Sequence, residues 1–163
     1  MFEQMEFSRQ NQSQVLQHQN FISCMAKINK NMDEDKAVSM LVLGTEQKQV
    51  IVLDHSGMSV KKQLLLKSVP CFLVCSGQYD VESRIFASCR DGKVYVIKNM
   101  EVTDQVFSIE CKPIGLVLLE KQVLIAGMNN TIHAFYLKGK KNFVIQVPAA
   151  VVDMVKLEGK RTQ

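Results

Sequence analysis

IFASCRDGKVYVIK, residues 85–98, decides the fold of this chain. It reads as a strand, a tight turn and a second strand. Val, Ile, Tyr and Phe dominate both flanks, as on a pleated surface that is largely buried. Between them, Asp91-Gly92 is the pair that a two-residue type I′ hairpin favours, because both central residues of that turn need positive φ. The unit recurs as LVLGTEQKQVIVLD over residues 41–54 and as VLIAGMNNTIHAFY over residues 123–136. The three copies align without a gap. Gly44, Ser88 and Ala126 coincide, then Val50, Val94 and Ile132, then Val52, Val96 and Ala134. The small residues lie 44 and 38 residues apart. A hairpin returning at about forty residues is the mark of a β-propeller.

Reading outward, each hairpin acquires two more strands. Asn20–Ile28 puts Ile22, Cys24, Ala26 and Ile28 on one face, and a charged loop follows. Ala37–Gly44, Gln49–Asp54 and Met58–Leu66 complete a first four-stranded set over residues 20–66. The second set, over 70–110, is Cys71–Ser76, Arg84–Cys89, Lys93–Lys98 and Gln105–Glu110. The third, over 113–147, is Ile114–Glu120, Gln122–Gly127, Thr131–Leu137 and Asn142–Val147. Pro70, Pro113 and Pro148 each open an apolar run, a strand position where the missing N–H costs least. Residues 149–157 then predict the first strand of a fourth set. The loop from Gly77 to Ser83 exceeds its counterpart between Glu120 and Gln122, which accounts for the uneven period.

The hairpin strands are apolar on both faces. Val50, Val52, Val94 and Val96 occupy one; Ile51, Leu53, Tyr95 and Ile97 occupy the other. A β-sandwich exposes one face of each sheet and predicts strict alternation. Sheets stacked radially are covered on both sides, which favours an all-β, partial propeller of about three four-stranded antiparallel blades plus the first strand of a fourth. Residues 1–19 are polar and rich in Gln, and Phe2, Met5 and Phe7 make no long helical stripe. A short helix or mobile lead segment is expected there.

Composition is that of a globular chain: 163 residues, 47% hydrophobic, 22% charged, net charge +4. The excess is local, since the residues from Thr131 onward carry all of it. Solvated turn lysines are a simpler account than a phosphate-binding or membrane-binding face. Five cysteines are an odd number, and MFEQMEFSRQNQSQ has no basic start or apolar stretch of a secretory leader. Free, mostly buried thiols in a reducing compartment are expected, which makes the sequons Asn11-Gln12-Ser13 and Asn129-Asn130-Thr131 coincidental. No run approaches the roughly 18 apolar residues of a membrane span.

No catalytic, cofactor-binding or metal-binding set emerges. Cys71 and Cys75 lie four residues apart on one strand, about 13 Å at 3.3 Å per residue, too far for one zinc with Zn–S near 2.3 Å. His133 alternates with Thr131 and Phe135 on a face that holds Ile51 and Tyr95 in the sister copies, so a hydrogen-bonded core or channel histidine is expected. Asp54-His55-Ser56 is consecutive, and adjacent residues cannot converge on one substrate atom as a triad does. His18 has no implied partner. Asp33, Glu34 and Asp35 read as a solvated loop. Phe143 beside Lys140 and Lys141 is the sole combination of base and aromatic, too little for a nucleic-acid surface. A propeller enzyme, lyase-like or quinoprotein-like with a channel site near His133, is the second reading. It is weakened because the aligned Ile51 and Tyr95 supply no further ligands.

Several stretches carry a specific resemblance. Lys30-Asn31-Met32 before the acidic loop, Ala37-Val38-Ser39 and Leu41-Val42-Leu43-Gly44-Thr45-Glu46 resemble the propeller of the Bardet–Biedl syndrome 1 family. So do Ser68-Val69-Pro70, Ser76-Gly77-Gln78-Tyr79-Asp80-Val81-Glu82, Cys89-Arg90-Asp91-Gly92, Lys138-Gly139-Lys140-Lys141 and Pro148-Ala149-Ala150. The matches run in order from about Asn20 to Ala150; Phe143 stands where the family is expected to have tryptophan. The resemblance implies a non-enzymatic scaffold subunit of the BBSome, the coat that moves membrane proteins into and out of cilia. It implies other BBSome subunits, ciliary membrane-protein cargo and a GTP-bound Arf-like small GTPase as partners, with membranes reached only through them. It also implies residence in the cytoplasm, the cilium and the basal body. It assigns no partner-binding residue. Since propellers close with about four to eight blades, three blades and a start predict a fragment of a longer ring.

Overall fold

In the computed structural model, which describes residues 20–34 and 36–157, the quoted stretch is two paired strands. They are β6 (Ser83–Cys89) and β7 (Lys93–Lys98). The alignment of the three copies holds residue for residue. Gly44 faces Val50, Ser88 faces Val94 and Ala126 faces Ile132, two positions before Val42–Val52, Phe86–Val96 and Leu124–Ala134. The other members are β1 (Ile22–Asn29), β2 (Ser39–Thr45), β3 (Gln49–Leu53) and β4 (Val60–Leu65) in the first sheet. β5 (Pro70–Gly77) and β8 (Glu101–Ser108) complete the second. The third holds β9 (Pro113–Leu118), β10 (Gln122–Gly127), β11 (Thr131–Tyr136) and β12 (Lys141–Gln146). Each sheet is an antiparallel meander in chain order.

The turn of the quoted hairpin is not the type I′ turn its Asp-Gly suggests. Gly92 alone is left-handed (φ 76°), and its N–H donates to Cys89 O at 3.0 Å. Three residues connect the strands, so the turn is a type I turn closed by a left-handed residue. Lys48 (φ 63°) and Asn130 (φ 60°) fill the same slot in the sister blades, donating to Thr45 O and Gly127 O. The type I′ turn sits one hairpin later, at Asn99 (φ 49°) and Met100 (φ 62°), between the paired Lys98 and Glu101. Asn99 tolerates that conformation. Its N–H donates to Ser83 O at 2.9 Å, and its Oδ1 accepts from Ser83 N at 3.0 Å. β8 therefore starts at Glu101 rather than Gln105 and ends at Ser108 rather than Glu110.

Backbone bonds repeat with the blade. The residue opening each middle turn bonds the chain entering its blade: Glu46 N to Phe21 O, Arg90 N to Val69 O and Met128 N to Lys112 O, at 2.9–3.0 Å. The carbonyl of each left-handed residue accepts from the chain leaving the blade: Lys48 O from Leu66 N, Gly92 O from Ile109 N and Asn130 O from Val147 N, at 2.7–2.9 Å. Turn, entry and exit of each blade are thus sewn together.

The doubly apolar strands do cover both faces of the middle sheet. Ile85, Ala87, Tyr95 and Ile97 pack toward the first sheet, against Val42, Val50 and Val52. Phe86, Val94, Val96 and Phe107 pack toward the third, against Val123, Ile125 and Phe135. Phe107 spans the second seam, stacked on Phe135 at 5.2 Å between centroids and tilted to Phe86 at 6.0 Å. Neighbouring sheets also meet through their first strands, β1 on β5 and β5 on β9. First strands are therefore innermost, and β4, β8 and β12 lie at the rim, as in consecutive propeller blades.

The strand expected over residues 149–157 does not form. Strands exist by pairing, and these residues have no neighbouring ladder among the described residues. The segment still lies against β9. A Cβ on Gly115 would touch the Met154 side chain at 3.5 Å. Val152, Val155 and Leu157 are exposed. The lead segment 1–19, with His18 and the first sequon, falls outside the described residues, as does Asp35.

Candidate functional site

His133 on β11 is placed by register. It pairs with Ile125 and Val144, which turns its face toward the second sheet. It is buried between blades, halfway out from the axis, not in a channel. A channel site needs side chains from the innermost strands, and β11 is the third strand of its blade, which corrects the channel reading of His133. The ring stacks on Phe135 (centroids 6.4 Å, planes 12° apart), and Nε2 lies 2.9 Å from Thr131 Oγ1. Nδ1 has no partner among the described residues. Burial holds the imidazole pKa below its ordinary value, Lys141 adds to this, and Glu110 opposes it. The neutral ring is a packed core group.

Asp54, His55 and Ser56 form a local turn network. Asp54 Oδ1 accepts from His55 N at 2.8 Å and meets His55 Nδ1 at 2.8 Å; Ser56 Oγ donates to Asp54 Oδ2 at 3.3 Å. Both neighbours engage the carboxylate and not each other, so no proton relay runs through them. Burial works against ionising Asp54, but the bonds from His55 outweigh it and hold the pKa low.

Cys24, Cys71, Cys75, Cys89 and Cys111 are free. Burial pushes Cys75 up to about 12, Cys24 to about 11, and Cys89 upward as well. Cys71 is raised less, because Arg90 beside it favours the thiolate. Protonated thiols are poor nucleophiles and poor ligands. No group of three or more His, Cys, Asp and Glu among the described residues is placed to hold a metal ion. Asp33 and Glu34 are exposed in the β1–β2 loop. In the second sequon, Asn129 Oδ1 accepts from Thr131 Oγ1 at 2.5 Å and from Cys111 Sγ at 3.1 Å, so the side chain serves its own turn. A shallow depression of about 320 Å³, lined by Ser76, Gly77, Gln78, Val81, Glu82 and Arg84, holds none of these candidates.

One polar feature escaped the residue-by-residue reading. Arg90 grips Glu46 with both guanidinium nitrogens, Nη1 to Oε2 at 2.8 Å and Nη2 to Oε1. The pair ties the middle turn of blade one to that of blade two. Its signal was present, since positions 46 and 90 are the same slot of the repeated turn with opposite charges.

Three four-stranded antiparallel sheets stacked through their first strands define part of a β-propeller. The profile of the family described as Ciliary BBSome complex subunit 1 matches residues 2–98. The chain belongs to that family. It is 37% identical over 153 residues to BBSome complex member BBS1 of Mus musculus and, equally, of Homo sapiens. Those matches cover 93% of this chain and 26% of each relative, so the chain spans about a quarter of their length. The crystal structure of BBS1N in complex with ARL6DN, soaked with lead, superposes with a TM-score of 0.82 at 33% identity. It covers 88% of this chain and 47% of that one.

Proposed function

We propose that this chain is a non-enzymatic scaffold element of a BBSome-type coat. Through other coat subunits it would serve the trafficking of ciliary membrane proteins, and a GTP-bound Arf-like small GTPase would recruit it to membranes. The observation that carries the reading is the close superposition on BBS1N, a propeller solved in complex with ARL6DN. The chemistry of this chain agrees with it. His55, His133 and the thiols are spent on packing and turns, and the Arg90–Glu46 clamp joins blade to blade. Residence would follow the partners, in the cytoplasm, the basal body and the cilium.

The test is recovery from ciliated cells. The tagged chain should bring down coat subunits, and it should retain the Arf-like GTPase better when the GTPase carries GTP. Equal recovery with GDP and GTP would remove the GTPase from the account. Failure to recover any coat subunit would remove the scaffold role.

A further inference from the structure

The rim strands are unequally defended. β4 carries exposed Lys61 and Lys62, and β8 carries exposed Glu101 and Asp104. Charges of this kind block pairing at an open sheet edge. β12 is the rim strand of the third sheet, and every one of its residues is exposed. Beyond Lys141 at its start it is uncharged: Asn142-Phe143-Val144-Ile145-Gln146, with Phe143, Val144 and Ile145 40%, 42% and 47% exposed. Aromatic and β-branched residues in that run favour a strand, and neither Gly nor Pro interrupts it.

The run is also symmetric about Val144: polar, three apolar, polar. We propose that β12 pairs antiparallel with β12 of a second copy, across a twofold axis through Val144. That register sets Phe143 opposite Ile145 and Asn142 opposite Gln146, an aromatic–β-branched pair and an amide pair on each side of the axis. Lys141 meets Val147, an uncharged residue. The two Lys141 side chains sit about 20 Å apart along the ladder, six residues at 3.4 Å, beyond the screening length of about 8 Å at physiological salt. No like charges are opposed. A twofold contact of one patch with itself demands this self-complementarity, and a segment shaped for an unrelated strand has no reason to show it. The third sheets of two copies then form one continuous eight-stranded sheet.

Sedimentation velocity on the full chain tests this. The mass should double with rising concentration, reversibly, since one strand pair is a small interface. Phe143→Lys with Ile145→Lys puts like charges opposite and should return the mass to that of one chain. Phe143→Lys with Ile145→Glu puts opposite charges face to face and should keep the doubled mass. Val144→Cys should crosslink between copies under mild oxidation far faster than the parent, whereas Asn142→Cys should not. These positions are exposed, and far-UV circular dichroism verifies that each variant folds. A parent that stays a single chain at every concentration overturns the proposal. So does equal behaviour of the two double variants, or equal crosslinking at positions 142 and 144.

Discussion

Gly92→Ala isolates what the middle turn demands of its residue. Gly92 sits at φ 76°, and a Cβ there would lie 2.7 Å from both Ile109 O and Cys111 O. The left-handed conformation alone costs an L-residue about 1–2 kcal/mol. The two oxygens are backbone and cannot swing aside, so the exit chain must move. That movement endangers the bond from Ile109 N to Gly92 O, worth about 1 kcal/mol. Together they predict a loss of about 2–3 kcal/mol. Blade one supplies the control. Lys48 already carries a Cβ in the same slot at φ 63°, so Lys48→Ala should stay within about 0.5 kcal/mol of the parent. Urea unfolding followed by circular dichroism measures both, with the midpoint moving and the slope constant. A loss for Gly92→Ala no larger than that for Lys48→Ala would refute the reasoning, because neither the left-handed φ nor the crowded Cβ would then carry a cost.

Phe107→Ala should cost about 3–5 kcal/mol, since it empties the seam between blades two and three, and Phe107→Leu should recover part of that; thermal or urea melts decide. His133 titrates lower in the folded chain than in the unfolded one, so the unfolded state takes up the proton first. Stability from this group should therefore be full above the ordinary imidazole value of 6.5 and fall as pH drops below it; His133→Phe should flatten that slope in melts run across the range. With a thiol-specific dye at mildly alkaline pH, Cys75 and Cys89 should stay unreactive in the native chain and react once urea is added, which peptide mapping of the labelled chain would show.

The blade was legible because its signal is redundant. Three hairpins aligned on Gly44, Ser88 and Ala126, and Pro70 and Pro113 marked the entries of blades two and three, so any single misreading was outvoted. The turns were not. Asp-Gly is compatible with two hairpin geometries, and only the hydrogen-bonded register separates a two-residue from a three-residue connection. Asn99-Met100 went unread because methionine rarely adopts positive φ; here its burial between blades one and two holds it there. His133 was placed on the right face, but which way that face points depends on the order of blades around the axis, which no local pattern states. Residues 149–157 have strand composition, yet composition cannot provide the partner that makes a strand.

The sewn turns divide each blade into a hem and a fringe. At the hem, middle turns are three residues long in every blade, and the two links between blades are four residues each. A residue added there would break two backbone bonds at once, so the hem admits substitution but not change of length. At the opposite end no such bond pair repeats with the blade among the described residues; the first loops of blades one and two meet there through Tyr79 N to Asn29 O and Asp80 N to Lys30 O. The first loops of the three blades run to nine, five and three residues. Insertions and deletions can therefore accumulate at the fringe while the blades keep their pitch. Divergence between relatives, and with it any private choice of neighbour, is free to be written in length at that end and only in side chains at the other.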